Sequence, residues 1–227
     1  MDYIGEPTPW HNQNDTPVKS SYFGIVDTAG IPKNDYYLYQ SQWLDLDQHP
    51  MVHILPHWNW EIHKSYQQVV DKCGDIPVRV YSNAGSVELF LNGKSQGRKN
   101  FQEKWTSDGR KYQEGASSEQ LYLEWRLAYQ PGELHAVAYD YQGQLVAEDR
   151  VVTAGKPAKI GLHAEKTKLE PDGQDLLYLY FDVLDKDGNW VPSASNQLHF
   201  KIEGPARIVG VDNGRQASCL LYTSPSP

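Results

Sequence analysis

From residue 50 onward the apolar side chains of this chain recur at every second position, and short polar or glycine-containing breaks interrupt the alternation. Only an extended strand brings residues i and i+2 to one face, so a period of two dictates β structure. The sharpest break is Asn92-Gly93, which follows Val87, Leu89 and Leu91 on a shared face. Asn-Gly tolerates positive φ at both central positions of a type I′ turn, so a tight hairpin is predicted there. Upstream, Val52 and Ile54 alternate with His53 and Leu55, and Pro77 leads into Val78, Val80 and a polar turn at Asn83, Ala84 and Gly85. Downstream, strands are predicted over residues 120–127, 133–140 and 145–153, with Pro131-Gly132 and Gln142-Gly143 as turns. Strands at this regular spacing predict an antiparallel β-sandwich domain over residues 50–155.

Thr153 to Pro157 reads as a short connector, and a second β unit over residues 156–214 starts at Lys159. In it Leu177, Leu179, Phe181 and Val183 alternate with Tyr178, Tyr180 and Asp182 as a half-buried strand. Asp187-Gly188 turns the chain, and residues 198–203 and 206–211 are expected to add two strands. Residues 1–49 follow another pattern. Asp2 and Tyr3 close a strand, Gly5, Pro7 and Pro9 open a loop, and Pro32 to Trp43 predicts a helix with Asn34 or Asp35 as N-cap. Tyr36, Tyr39 and Trp43 fall on one face of that helix as a packing stripe.

A formal charge of −8 excludes a phosphate-backbone partner, which demands a basic surface. No apolar run approaches the ~20 residues of a membrane span. Two cysteines, Cys73 and Cys219, are too far apart for metal spacing and are read as free thiols. Fifteen tyrosines and seven tryptophans against five phenylalanines suit a β protein that handles carbohydrate, because amphipathic rings stack on sugar faces as well as filling cores.

Several longer words carry a family resemblance: DYIGEPTPW from residue 2, SSYFGIVDTAG from 20, PMVHILPHWNWE over 50–61, VELFLNGKSQGRK over 87–99 and VVTAGKPAKI over 151–160. They resemble the C-terminal half of glycoside hydrolase family 2 proteins, in the bacterial β-galactosidase-like branch, from residue 2 to about 214. The resemblance implies a mainly β chain. The last strand and helix of a truncated (β/α)8 TIM barrel over 1–49 would precede two immunoglobulin-like antiparallel β-sandwich domains, the second incomplete. Residues 215–227, RQASCLLYTSPSP, leave the family pattern and are expected to be a disordered or artefactual tail. The implied parent is a retaining glycosidase, periplasmic or secreted, that hydrolyses O-glycosidic bonds of a β-galactoside or related glycan without a cofactor.

Retaining glycosidases use two carboxyl groups ~5–5.5 Å apart. The family places both glutamates at the ends of the fourth and seventh barrel strands, so no catalytic residue is carried over and the chain alone is expected to be inactive. It would depend on a missing N-terminal half of the barrel. Asp2, Tyr3, Glu6 and Trp10 lie where the loop after the eighth strand would face the sugar and are the candidate substrate-binding residues. For Asp2 and Glu6 the alternative is to hold the loop through backbone hydrogen bonds, and Trp10 reads equally as sugar platform or barrel rim.

Other constellations have simpler explanations. His53, His57 and His63 suggest a metal, but residues four apart on a strand are ~13 Å apart, too far to share one ion. Trp58 and Trp60 read as packing residues at the barrel–sandwich junction. Asp185, Asp187 and Asn189 mimic the start of a calcium loop, yet the glycine falls at 188 and a hairpin turn accounts for them. Asn92-Gly93-Lys94 is explained by its backbone geometry alone. The competing function is a non-enzymatic carbohydrate-binding or structural β-sandwich module.

Overall fold

A computed structural model of the chain describes residues 24–27, 29–60 and 74–212. The chain divides into two units, residues 1–43 with 198–227 and residues 44–197.

In the first unit Asp27 Oδ1 accepts the N–H groups of Ala29 at 2.9 Å and Ile31 at 2.8 Å, forming a turn that pairs Val26 with Pro32. Helix α1 then runs Asn34–Trp43. It begins two residues later than expected because Pro32 is engaged in that extended pairing. Asn34 and Asp35 therefore lie inside the first turn and not at the cap, and the Asp35 carboxylate complements the positive end of the helix. Tyr39 and Trp43 stand exposed with ring centroids 4.7 Å apart, and Ser41 is the buried residue of the helix. The described residues 198–212 form no strand, which corrects the expectation of strands at 198–203 and 206–211. Alternation supplies a face, but a strand also needs an edge to pair with, and Phe200, Ile202 and Val209 are left exposed.

The second unit is a two-layer antiparallel sandwich with a ribbon appended. One layer contains β1 (Val52–Leu55), β2 (Asp75–Ser82) and β6 (Leu123–Ala128), in the order β1-β2-β6. The other contains β3 (Ser86–Leu91), β4 (Lys94–Trp105), β5 (Lys111–Gly115), β7 (Glu133–Tyr139) and β8 (Leu145–Val152), in the order β5-β4-β3-β7-β8. Three strands facing five is an immunoglobulin-like arrangement. Alternate residues fill the space between: Ile76, Val78 and Val80 with Leu123, Trp125 and Leu127 from the first layer, and Val87, Leu89 and Leu91 with Leu134, Ala136 and Ala138 from the second. Ala136 pairs with Leu89 and Ala138 with Val87, so small residues sit beside large ones on the buried face. Each large apolar side chain withdrawn from water here contributes about 1.5–3 kcal/mol. Trp58 and Trp60 are also part of this core, so their packing role lies in the sandwich itself.

The predicted hairpin is present. Asn92 and Gly93 have φ of 51° and 76°, and Leu91 pairs with Lys94. The Asn92 side chain then does a second job: its Oδ1 accepts the Glu133 N–H at 2.9 Å and its Nδ2 donates to Pro131 O at 3.1 Å. It therefore locks the β3–β4 turn onto the β6–β7 turn, where Gly132 has φ 137°.

β4 and β5 were not evident in the sequence. Phe101 is the buried residue of β4, and the strand is held by ladders to β3 and β5 rather than by a hydrophobic stripe. Beyond the connector, β9 (Lys159–Ala164) and β10 (Leu179–Leu184) pair as a two-stranded ribbon. Leu179 and Phe181, expected to be half-buried, are exposed along with Ile160 and Leu162. Among the described residues no second layer covers them.

Candidate functional site

The candidate sugar-binding residues Asp2, Tyr3, Glu6 and Trp10 lie outside the described residues, as do His63, Cys73, Cys219 and the tail 215–227. Among the described residues, one cluster of buried polar groups lies where the sandwich hands the chain to the ribbon. Asn59, in the Trp-Asn-Trp word after β1, is buried and makes two reciprocal bonds to one residue of the connector. Its Nδ2 donates to Ala154 O at 2.9 Å, and its Oδ1 accepts the Ala154 N–H at 3.1 Å. One residue earlier, Thr153 Oγ1 donates to Trp58 O at 2.5 Å and accepts the Gly132 N–H at 3.1 Å. Trp58 is fixed in turn by Nε1 donating to Gln130 O at 2.8 Å.

One residue later, the Gly155 N–H donates to Asp185 Oδ2 at 2.9 Å. Asp185 is the buried pivot of the β10 turn. Its Oδ1 accepts N–H groups from Asp187 at 2.9 Å and Asn189 at 2.8 Å, and its Oδ2 also accepts from Asn189 Nδ2 at 3.1 Å. These donors, the Gly155 N–H foremost, hold its carboxyl well below the usual carboxylate range. The apparent calcium-loop start is thus a turn whose first carboxylate is saturated by protein N–H groups. Sequence reading found the turn and missed the bond to the connector, because a partner 30 residues away leaves no local signature.

A cleft of about 380 Å³ opens beside the connector, walled by Gly155, Lys156, Pro157, Val191, Ser193 and Asn196 among others. Lys156 is the ionisable group in its lining, so it presents no pair of carboxyls for glycosidic cleavage. Two acids of the sandwich are also engaged: the buried Glu114 with Lys104 at 3.2 Å, and the half-buried Glu124 with Arg79 and Arg126, each at 3.1 Å.

The histidines divide. His53 is half-buried on β1, where burial lowers its pKa and Asp149, 3.8 Å away, partly offsets the effect. The same Asp149 carboxylate accepts the Ile54 N–H at 2.7 Å, tying β1 to β8 across the layers. His57 stacks on Trp60 with centroids 4.5 Å apart. Asn83, read from sequence only as turn, secures the segment entering the sandwich: it accepts the Met51 N–H at 2.9 Å and donates to Leu44 O and His49 O at 3.2 and 3.0 Å.

The fold and its polar residues define a β module: an immunoglobulin-like sandwich whose buried side chains fix incoming and outgoing segments. Residues 74–147 match the family model described as a domain of unknown function, DUF4982, and residues 160–226 match glycoside hydrolase family 2 C-terminal domain 5. The chain is 42% identical over 218 residues to the β-galactosidase BoGH2A of Bacteroides ovatus, an alignment covering 96% of this chain and 22% of that protein. It is 33% identical over 214 residues to a putative β-glucuronidase of Formosa agariphila, covering 94% and 18%. The crystal structure of a β-glycosidase from Bacteroides vulgatus superposes with a TM-score of 0.69 at 36% identity, covering 88% of this chain and 22% of that one. This chain belongs to glycoside hydrolase family 2. It spans about a fifth of the length of the curated relatives it matches. Among the described residues no helix is long and apolar enough to cross a membrane.

Proposed function

We propose that the chain is the C-terminal portion of a retaining glycoside hydrolase that cleaves O-glycosidic bonds of β-galactosides or related glycans. The observation that carries this reading is the 42% identity to a β-galactosidase over nearly the whole chain. Residues 1–49 would close the catalytic barrel, with Asp2, Tyr3, Glu6 and Trp10 contributing one wall of the sugar pocket. Residues 50–155 and 156–214 would be the sandwich and the immunoglobulin-like domain that brace it, with the family 2 C-terminal match running on to residue 226. The two glutamates of the double-displacement mechanism, ~5–5.5 Å apart, would come from the barrel strands that this chain lacks. The support for a bracing role is the Asn59 and Asp185 clamp, which holds the connector between the two β domains from both sides.

The test is hydrolysis of a chromogenic β-galactoside by the purified 227-residue chain, alone and supplied with the barrel half of a homologous family 2 enzyme. No turnover by the chain alone is expected. Turnover that disappears when an acid of this chain is replaced would overturn the reading. A second reading, a glycan-binding module, has its own support in an exposed aromatic ledge on the sandwich.

A further inference from the structure

Five strands face three, so the outer end of the larger sheet has no opposing layer. β6 reaches β4 at Gly97, whose carbonyl accepts from Trp125 Nε1 at 3.2 Å, and at Lys99, whose Nζ donates to Glu124 O. Past Phe101 the strand continues uncovered, paired with β5. Alternation places Glu103 and Trp105 on the same side as Phe101, and the register sets Gln113 opposite Glu103 and Lys111 opposite Trp105. The inward side of the sheet therefore runs outward as a ledge.

Two aromatic rings mark the ends of this ledge. Trp105 is 66% exposed at the outer end, and Tyr141 is 50% exposed at the inner end. Neither is loose. A Cβ at Gly85 would lie 3.0 Å from Tyr141 Cδ1 and 3.1 Å from Cγ, so the ring occupies space that a side chain at residue 85 would take. The Tyr141 hydroxyl lies 3.4 Å from Gln113 Oε1 and engages Glu103, and Gln113 is anchored by donating from Nε2 to Ser82 O. Burial and Glu103 push the Tyr141 phenol up to about 12, so it stays a neutral donor. At the far end Thr106 closes the turn, its N–H donating to Arg110 O at 2.9 Å and its Oγ1 accepting the Arg110 N–H at 3.0 Å. Between the rings Glu103 and Lys111 form an ion pair.

We propose that this ledge is a glycan-binding subsite, with Trp105 and Tyr141 stacking on sugar faces, Glu103 and Lys111 meeting ring hydroxyls, and the buried Gln113 holding the Tyr141 hydroxyl in place. A pyranose has an apolar face and a hydroxyl rim, and the ledge presents two exposed rings flanked by donors and acceptors to match. The closed Glu103–Lys111 pair leaves the ledge without net charge, and the chain carries −8, so the ligand is a neutral glycan, not a uronate polymer. A protein hot spot would surround its tryptophan with apolar neighbours that exclude water. Here the neighbours of Trp105 along and across the ribbon are Lys104, Thr106 and Lys111.

The inference rests on the carbohydrate-handling reading of the chain but not on hydrolysis, so its test reads binding alone. Affinity gel electrophoresis of the 227-residue chain would use β-1,4-galactan and a soluble cellulose derivative as neutral probes and polygalacturonate as the anionic one. The expected result is retardation by a neutral glycan, weakened roughly three- to tenfold by Trp105→Ala and by Tyr141→Ala. Trp43→Ala, at another exposed indole, should leave it unchanged. No retardation by either neutral glycan, retardation by polygalacturonate alone, or undiminished retardation of a well-folded Trp105→Ala variant would each overturn the proposal. Hydrolytic inactivity of the chain bears on none of these outcomes.

Discussion

Replacing Asn59 with alanine tests the clamp where it is strongest. The side chain is 2% exposed and satisfies both backbone groups of Ala154, itself 7% exposed. Truncation removes two hydrogen bonds and leaves a buried N–H and a buried C=O without partners. Each such group costs about 1–3 kcal/mol, so the variant should lose about 3 kcal/mol, and up to about 6 if no water enters. Against a native stability of about 5–15 kcal/mol that is a large fraction. Urea unfolding followed by tryptophan fluorescence suits the question, because Trp58, Trp60 and Trp125 are buried reporters of the same core. With a slope of about 1–3 kcal/mol/M, the midpoint should fall by at least about 1 M. Asn59→Asp should be no milder, since it keeps the acceptor for the Ala154 N–H but turns a carboxylate oxygen towards the Ala154 carbonyl. A midpoint within about 0.3 M of the parent for Asn59→Ala would show that the clamp contributes little and that the connector is held by other means.

Gly132→Ala should destabilise by at least about 2 kcal/mol on the same assay, because φ 137° excludes a side chain and the new Cβ would fall 1.8 Å from Asn92 Oδ1, breaking the lock between the two turns. A loss under about 0.5 kcal/mol would refute it. For His53, burial lowers the folded pKa below the ordinary value near 6.5. The unfolded chain then binds the proton first as pH falls, so stability is full above about pH 6.5 and is lost as pH drops through the unfolded and then the folded pKa. Urea midpoints measured from pH 8 to pH 5 should decline more steeply for the parent than for His53→Gln, and parallel profiles would remove His53 as a contributor.

The parts legible in the sequence were those with a local cause. Asn92-Gly93 declares its turn because few residue pairs accept two positive φ values, and Val87, Leu89 and Leu91 declare their buried face by spacing alone. The strand over 133–140 was placed as well, and the structure adds its buried face, Leu134, Ala136 and Ala138. β4 and β5 were not, since Lys94–Trp105 is almost wholly polar and its strand character comes from neighbours on both edges. The opposite error occurred at residues 198–211, where alternating Phe200 and Ile202 suggested a strand that the described chain does not form. The ledge was invisible for a related reason. Trp105 and Tyr141 are 36 positions apart, and only the register of β4 with β5, together with the seat at Gly85, brings them onto one surface.

Three of the words that carry the family resemblance contain side chains that bond to distant backbone. Asn59 lies in PMVHILPHWNWE and its partner Ala154 in VVTAGKPAKI, while Asn92 lies in VELFLNGKSQGRK and bonds both Pro131 and Glu133. An apolar core position accepts several residues of similar volume, because packing constrains size and shape more than identity. A position that must donate one hydrogen bond and accept another, in a buried site and along fixed directions, admits far fewer side chains. Asn meets that demand at 59 and 92, with positive φ as a further requirement at 92. The short recognisable words are therefore the interlocks of the sandwich, and the family relationship is written where the fold fastens its connector and turns.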